Sequence, residues 1–313
     1  IILQNISSYL TLIFGVFVAS TILLFGMMFV PLLNNVSDIS REHMAAKYQY
    51  MLKGDARTSN RDAEKFAVCT MKTYFDGYNQ EEATVYGIFD DSRYIKDKLP
   101  EKGAVISSGM AEKYKLKEGD DFLLKEEYED KLIKLQVRGI LDSPTTIGVY
   151  LSHSYYEDVF DVDKDYYSAY FSNTKITDIS DNKIINCITE KDMTKMAEQL
   201  KVSMGDMFTI VEAFAVIMFI LVVYLLTKII LERNSTSISM VKILGYEERE
   251  IGQLYLVATS WVVLLAVLIS FVLVTELIRQ IFVAFMKGYS GWIPFGIATK
   301  TYVQCFILAI VSY

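Results

Sequence analysis

The sequence predicts a membrane α-helical protein with four transmembrane helices, the last truncated, and an inserted extracytoplasmic α+β domain. Two observations predict this class. Apolar stretches long enough to cross the roughly 30 Å hydrocarbon core of a bilayer occur at both ends of the chain. Charge is concentrated between them, because residues 34–206 hold 24 of the 31 Lys+Arg and 32 of the 38 Asp+Glu. This separation argues against a soluble enzyme or a disordered chain, and the lack of a basic face argues against nucleic-acid binding.

Each apolar stretch defines one transmembrane helix. Residues 8–33, 207–231 and 251–285 are expected to span the membrane, and residues 301–313 to begin a fourth span that continues beyond Tyr313. A span needs about 20 residues, since each adds about 1.5 Å to a helix. Glu212 lies near one end of the second span and leaves two interpretations open. It is either a functional carboxylate within the membrane or, as we favour, a residue at the outer interface beside Asp206.

The loops between the spans carry the orientation signal. Loops 228–250 and 276–300 hold four and three Lys or Arg residues, so charge only weakly favours a cytoplasmic position for the first. The second loop is then expected outside the cytoplasm. There, Tyr289 and Trp292 are expected to anchor it at the membrane interface.

The domain 34–206 is predicted to mix helices and strands. Strands are expected at Gly103–Ser107, Asp121–Lys125 and Leu132–Leu141, with a short helix at Met110–Tyr114. In the last strand Ile133, Leu135 and Val137 alternate with polar residues, which is the period of a half-buried strand. Tyrosines could line a ligand surface, although core positions with a wet hydroxyl are the favoured interpretation for Tyr155, Tyr156, Tyr166, Tyr167 and Tyr170.

Both edges of this domain show the apolar spacing of a helix. Intervals of three and four residues separate Met193, Met196, Leu200, Met204 and Met207. The same intervals separate Val36, Ile39, His43, Ala46 and Tyr50. We therefore expect the first two membrane helices to continue outward as a paired stalk that transmits movement. Two unrelated surface helices that pack on the domain are the alternative.

No residue pattern indicates catalysis or metal binding. His43 and His153 have no second histidine or cysteine at ligand spacing and belong to no nucleophile–base signature. Cys69, Cys187 and Cys305 show no C-x-x-C spacing, although Cys69 and Cys187 could pair if the domain faces an oxidising space. The sequence contains no G-x-x-x-x-G-K-[ST] motif to cradle phosphates. We expect a protein that is not itself an enzyme and has no cofactor or metal of its own.

The loop between the second and third spans is predicted to form a short amphipathic helix. Ile238, Val241 and Leu244 recur at every third residue, and Gly245 suits the position that follows a helix. Acidic residues then fall in the first turn of the next helix, where they complement its dipole. The apolar face of the short helix must lie on lipid headgroups or in a groove of a partner.

At these residues the sequence resembles the FtsX-like permease family, the membrane subunits of MacB-type ABC transporters. The matching positions are Arg233, Ile238, Lys242, Leu244, Gly245, Tyr246 and Ile251, whereas Ser237, Val241 and Ile243 depart from the family pattern. Gly103–Asp120 and the strand ending at Val137–Ile140 look like the extracytoplasmic core domain of the same family. The order of parts, one span, a large outer domain and three further spans, also fits.

The resemblance implies a permease that couples ATP hydrolysis in a partner to movement of the outer domain, a process called mechanotransmission. An ABC ATP-binding subunit, which would hold the ATP and Mg²⁺, would dock in the cytoplasm on Ile238, Met240, Val241, Lys242, Leu244, Gly245 and Tyr246. Further implied partners are a second permease half or a homodimer partner, the lipid bilayer, and an extracellular peptide, lipoprotein or cell-wall hydrolase. The implied location is the plasma membrane of a bacterium, with several spans.

A transmembrane receptor with an extracellular ligand-binding domain is the alternative function. Receptors commonly place a signalling domain after one or two spans. Here a third long apolar stretch follows the short loop 232–250, which favours the permease.

Overall fold

The computed structural model describes residues 6–127, 131–233, 235, 239–240, 243 and 248–312 of the chain. The chain divides into two compact units. The helical unit comprises Ile1–Leu33, Leu200–Phe282 and Phe295–Tyr313. The sheet unit comprises Asn34–Gln199 and Val283–Pro294.

Six α-helices and nine strands make up the described residues. The helices are α1 (Ile6–Glu42), α2 (Ser108–Tyr114), α3 (His153–Phe160), α4 (Glu190–Arg233), α5 (Glu248–Met286) and α6 (Thr299–Ser312). The strands are β1 (Tyr48–Leu52), β2 (Glu64–Tyr74), β3 (Glu82–Ile88), β4 (Ala104–Ser107), β5 (Asp121–Lys125), β6 (Leu132–Leu141), β7 (Gly148–Ser152), β8 (Ala169–Ser172) and β9 (Ile184–Thr189). The fold is therefore a set of long helices with a mixed-sheet domain inserted between α1 and α4.

The strands form one sheet in the order β3-β7-β4-β6-β5-β2-β8-β1-β9, and β3 also pairs with β2. These pairings close six strands into a ring, from which β8, β1 and β9 extend. β2 joins the two parts because its start pairs with β8, its middle with β3 and its end with β5. The β3–β7 and β4–β6 pairs are parallel, and the other described pairs are antiparallel.

The strands and short helix predicted between residues 103 and 141 are confirmed. β4, β5, β6 and α2 lie at the expected positions, with α2 beginning two residues earlier than predicted. In β6 the alternating Ile133, Leu135 and Val137 are buried, while Leu132, Lys134 and Arg138 are exposed. Ser107 caps α2 by accepting a hydrogen bond from the backbone N–H of Met110, and this explains the earlier start.

Among the described residues, three helices are long and apolar enough to cross a membrane by length and composition, with candidate spans at Leu10–Glu42, Glu190–Ile229 and Ser260–Met286. α6 is apolar but has 14 residues. The helical unit has its own core, in which Leu23 of α1, Phe219 of α4 and Val274 of α5 are fully buried.

The predicted continuation of the first helix through Tyr50 is wrong. α1 passes through Pro31 but ends at Glu42, and Tyr50 lies in β1 between β8 and β9. Ala46 and Tyr50 are buried in cores of the sheet unit. The error has a physical reason: an interval of four residues keeps side chains on one side of a strand as well as on one side of a helix.

The chain enters and leaves the strand region of the sheet unit at neighbouring points. β1 follows α1, and β9 leads directly into α4. β1 and β9 pair with each other, and Tyr48 lies opposite Thr189. Next to this pair, Arg41 of α1 places its Nε 3.0 Å from a carboxylate oxygen of Glu190 in the first turn of α4. Both ends of the inserted domain are thereby held together.

Candidate functional site

The loop expected to dock on an ATPase falls mostly outside the described residues. Of its seven predicted docking residues, those that lie outside are Ile238, Val241, Lys242, Leu244, Gly245 and Tyr246. Met240 is described: it is helical and 59% exposed, and its neighbour Ile243 is 85% exposed. These two apolar side chains are available to a partner, and the docking role of the loop stays a prediction.

The residues of the predicted stalk stripe lie on α4, which runs through Gly205 without interruption. Met193 and Met204 are half-buried, and Met207 is exposed. The side chains of Met196 and Leu200 lie outside the described part of the structure. Thr194 and Ala197 are the buried positions of the first turns of α4. The stalk function stays a prediction.

A cavity of about 600 Å³ opens in the sheet unit. Its aromatic wall contains Tyr86 of β3 and Tyr150 of β7, whose rings stack with centroids 4.9 Å apart, together with Phe171 of β8. Gln49 of β1 also lines the cavity and is 7% exposed. A side-chain amide that lines a cavity can donate and accept hydrogen bonds with an incoming group.

Part of the polar rim of this cavity is paired. The two nitrogens of the His43 ring face acceptors, with Nδ1 2.9 Å from the Ile39 carbonyl oxygen and Nε2 3.3 Å from an Asp142 carboxylate oxygen. Glu82, also on the rim, pairs with Lys72 at 3.1 Å. The rim also holds the carboxyl groups of Glu42 and Asp97 and the Lys96 amine, so it is charged and more acidic than basic, and the arrangement suits an aromatic group that carries a polar function.

The phenols of the wall keep their protons. Burial raises the pKa of Tyr86 to about 12, although a hydrogen bond with Thr84 opposes the shift. Burial also raises the pKa of Tyr150, and the neighbouring Tyr86 adds to it. Neither hydroxyl ionises near neutral pH, so both can bind a ligand but are not poised for acid–base chemistry.

The core interpretation of the tyrosine-rich stretch is confirmed for three residues. Tyr156, Tyr167 and Tyr170 are buried, and the last two donate hydrogen bonds to the Ala56 carbonyl oxygen at 3.3 and 2.9 Å. Tyr155 is half-buried and Tyr166 is exposed. None of the five lines the aromatic cavity, whose tyrosines are Tyr86, Tyr94 and Tyr150.

The two cysteines of the sheet unit are free thiols. Cys187 of β9 lies opposite Tyr50, Tyr50 opposite Tyr170, and Tyr170 opposite Lys65 of β2, the strand of Cys69. Three strand spacings of ~4.8 Å separate β9 from β2, about 14 Å in total. A disulfide requires Cα atoms within about 7 Å. The strand order therefore rules out the pairing that the sequence left open.

His153 is buried at the start of α3, and its ring stacks on Phe89 with centroids 3.6 Å apart. Its Nε2 lies 3.1 Å from a Glu157 carboxylate oxygen, but among the described residues neither ring nitrogen has a partner with hydrogen-bond geometry. Among the described residues, no group of three or more His, Cys, Asp or Glu side chains is placed to hold a metal ion.

Trp292 is not an anchor at the membrane interface. It is 3% exposed, belongs to the sheet unit, and donates a hydrogen bond from Nε1 to a Glu112 carboxylate oxygen at 3.0 Å. Tyr289 is half exposed at 37%, and its carbonyl oxygen accepts a hydrogen bond from Lys113. Sequence reasoning missed this site because Lys113 and Trp292 lie 179 positions apart, and no local pattern links them.

No protein-family model matches the sequence, and no curated protein is significantly similar to it. Among solved structures, the periplasmic region of MacB from Actinobacillus actinomycetemcomitans is similar, with a TM-score of 0.27 and 11% sequence identity. The similarity covers 51% of this chain and 86% of that one.

Proposed function

We propose that the chain is the membrane permease subunit of an FtsX/MacB-type ABC transporter, and that it moves an extracytoplasmic domain when a partner hydrolyses ATP. The observation that carries the proposal is the continuity of α4. One helix of 44 residues begins directly after the last strand of the sheet unit and ends where the loop 232–250 starts.

The length of α4 exceeds what a membrane requires. At about 1.5 Å per residue the helix extends ~66 Å, against a hydrocarbon core of roughly 30 Å. An unbroken helix transmits a displacement at one end to the other, whereas a flexible linker absorbs it. In the proposed mechanism, a push on the loop that follows Arg233 reaches the sheet through Glu190.

The remaining parts of the proposal rest on the sequence resemblance. Four spans, with α6 forming the start of the last, would place loop 232–250 in the cytoplasm and the sheet unit outside a bacterial plasma membrane. The ATP-binding subunit holds ATP and Mg²⁺, and the chain itself performs no catalysis. A second permease half or a second copy completes the complex, and the substrate is an extracellular peptide, a lipoprotein or a cell-wall hydrolase.

Topology is the first test. Lys242→Cys is introduced, cells are treated with a membrane-impermeant maleimide, and mass spectrometry measures modification at position 242. We expect modification only after the cells are permeabilised. Modification of intact cells at this position would place the loop outside and end the proposal.

Docking is the second test. Leu244→Asp puts a charge on the apolar face of the predicted loop helix, and Ser239→Asp puts the same charge at an exposed position of the loop. We expect only Leu244→Asp to abolish co-purification of the ATP-binding subunit, with both variants inserted normally into membranes. Equal recovery of that subunit with both variants contradicts the docking face.

The cavity favours a second candidate, a receptor that binds a ligand in its extracytoplasmic domain. A buried amide beside an aromatic wall is a recognisable ligand site. The Leu244→Asp variant distinguishes the two functions, since a receptor needs no ATPase. A ligand response that survives Leu244→Asp favours the receptor, and a response that is lost favours the permease.

A further inference from the structure

Lys113, on the short helix α2, carries a buried ammonium group. Its side chain is 1% exposed, and a lysine in such a place is stable only when its charge and its donors are matched. The three N–H donors of the ammonium have three acceptors. These are a Glu81 carboxylate oxygen at 2.6 Å and the carbonyl oxygens of Tyr289 at 2.8 Å and Gly291 at 2.9 Å.

The carboxylate of Glu81, which lies just before β3, also has a partner for its charge and for both of its oxygens. Its side chain is 5% exposed. One carboxylate oxygen accepts from Lys113 and from the Tyr114 hydroxyl, and the other accepts from the backbone N–H of Gly291. Burial and the hydrogen bond to Glu81 raise the pKa of Tyr114, so this hydroxyl remains a donor. Its oxygen also lies 3.1 Å from the Thr73 hydroxyl, which joins the cluster to β2.

The ion pair holds residues 287–294, here called the strap. The strap belongs to the connection between α5 and α6. Beyond Lys113 and Glu81, the Asn79 side-chain amide donates to the Gly288 carbonyl oxygen at 3.2 Å, and Trp292 is buried with its Nε1 on Glu112. Gly291 has φ +87, in the region that L side chains rarely adopt. The strap is therefore shaped to present one N–H and two carbonyl groups to the ion pair.

The strand region and the strap contribute different chemical groups to this site. Both charges of the ion pair and the Tyr114 hydroxyl belong to the strand region of the sheet unit. The strap gives the ion pair only neutral backbone groups, and it adds the Trp292 indole and the Lys287 amine, which lies 5.5 Å from the centroid of the Tyr78 ring. Removing the strap would leave the ion pair intact and would let water take over its remaining hydrogen bonds. Because desolvation of an ion pair opposes its burial, closure depends on the strap completing the network.

We propose that the Lys113–Glu81 pair is a latch for the strap, which it closes onto the sheet unit and from which it can release as one piece. The latch ties the connection between α5 and α6 to the domain inserted between α1 and α4. Three hydrogen bonds hold Tyr289 and Gly291, and all three are made by the ion pair of Lys113 and Glu81. Release is therefore all-or-none. The inference stands whether or not the chain is a permease.

Amide hydrogen exchange of the full chain in detergent tests the latch. The strap amides to follow are those of Gly288, Tyr289 and Gly291, which donate to Phe285, Met286 and Glu81. In Lys113→Met we expect these amides to exchange about tenfold faster or more, because loss of one charge-assisted bond is worth about a factor of ten. Amides of β6 should keep their protection. Lys117→Met, an exposed lysine three residues past α2, is the matched control and should change neither region.

Two further measurements keep the test decisive if Lys113→Met does not fold. In the unmodified chain the strap amides should exchange faster than those of β6, which is the signature of separate opening. Gly291→Ala has open space around the new methyl group and changes only the backbone preference at φ +87, so it should speed exchange in the strap alone. Strap exchange that always equals β6 exchange, or that stays unchanged in both variants, overturns the latch.

Discussion

Gly26 of α1 and Ala215 of α4 approach so closely that a Cβ added to the glycine would lie 2.4 Å from the Ala215 Cβ. The Val211 carbonyl oxygen would be 3.3 Å from the same added atom. Small residues at such a crossing let two backbones come together, which is how helices in membranes commonly gain packing energy. The contact lies within the helical unit and fixes how α1 and α4 pack there.

Gly26→Ala should destabilise the helical unit. The added methyl group meets backbone and a Cβ, neither of which can rotate away, and overpacking of this kind costs about 1–3 kcal/mol. We expect a lower Tm of the detergent-solubilised chain. Gly15→Ala is the matched control, since its methyl group meets the terminal carbons of Leu226 at 2.6 Å, and these can move. Equal losses in the two variants contradict a fixed crossing at Gly26.

Leu135→Ala should destabilise the sheet unit far more than Leu132→Ala. Both residues lie on β6, but Leu135 is 2% exposed and Leu132 is 48% exposed. We expect a loss of about 2–5 kcal/mol for the first and less than about 0.5 kcal/mol for the second. Denaturant unfolding followed by fluorescence of Trp292, which is buried in the same unit, measures both. A large effect at Leu132 would mean that the register of β6 is wrong.

Asp178 should make the stability of the sheet unit depend on acid pH. Its carboxylate accepts hydrogen bonds from the Ser59 backbone N–H at 2.6 Å and from the Thr58 and Ser59 hydroxyls. These bonds lower the pKa of Asp178 from 3.8 to about 2, the backbone bond contributing most. A depressed folded pKa gives stability that is fully present above pH 3.8 and is lost as the pH falls to about 2.

The test compares the unmodified chain with Asp178→Asn in Tm scans at several pH values. The unmodified chain should be the more stable at neutral pH, and the difference should shrink as the pH falls through this window. A difference in Tm that is constant with pH would show that the charge of Asp178 contributes nothing.

Cys69 should react slowly with maleimides while the chain is folded. Burial raises the pKa of its thiol from 9.0 to about 11, against a smaller opposing effect of the Tyr156 hydroxyl. A shift of this size leaves roughly 100-fold less thiolate near neutral pH, and the thiolate is the reactive form. Denaturation should restore the reaction. Under mild oxidation no Cys69–Cys187 cross-link should form, and mass spectrometry that found one would contradict the strand order.

Local patterns predicted those parts of the fold that depend on neighbours in sequence. Alternation located β6, and unbroken apolar runs located the long helices. The prediction of a helix from Ala46 to Tyr50 was wrong because it also used only local spacing, and this spacing fits a helix and a strand equally well.

Contacts between distant segments could not be predicted from the sequence. The pairing of β2 with β3 and β5 closes the ring and its pairing with β8 extends the sheet, yet nothing within β2 specifies three partners. Likewise, Lys113 reads in the sequence as a surface lysine on a short helix. Its burial depends on Glu81 and on carbonyl groups of the strap, and backbone carbonyl groups leave no signal in a sequence.

The pairing of Tyr48 with Thr189 also determines how the inserted domain responds to mechanical force. β1 and β9 are antiparallel, and both ends that lead to long helices lie at this one corner. A tension that pulls α1 and α4 apart would meet the hydrogen bonds between β1 and β9 one rung at a time, starting at Tyr48. The domain would unzip from that corner under a small load, whereas tension along the strands would strain every rung at once.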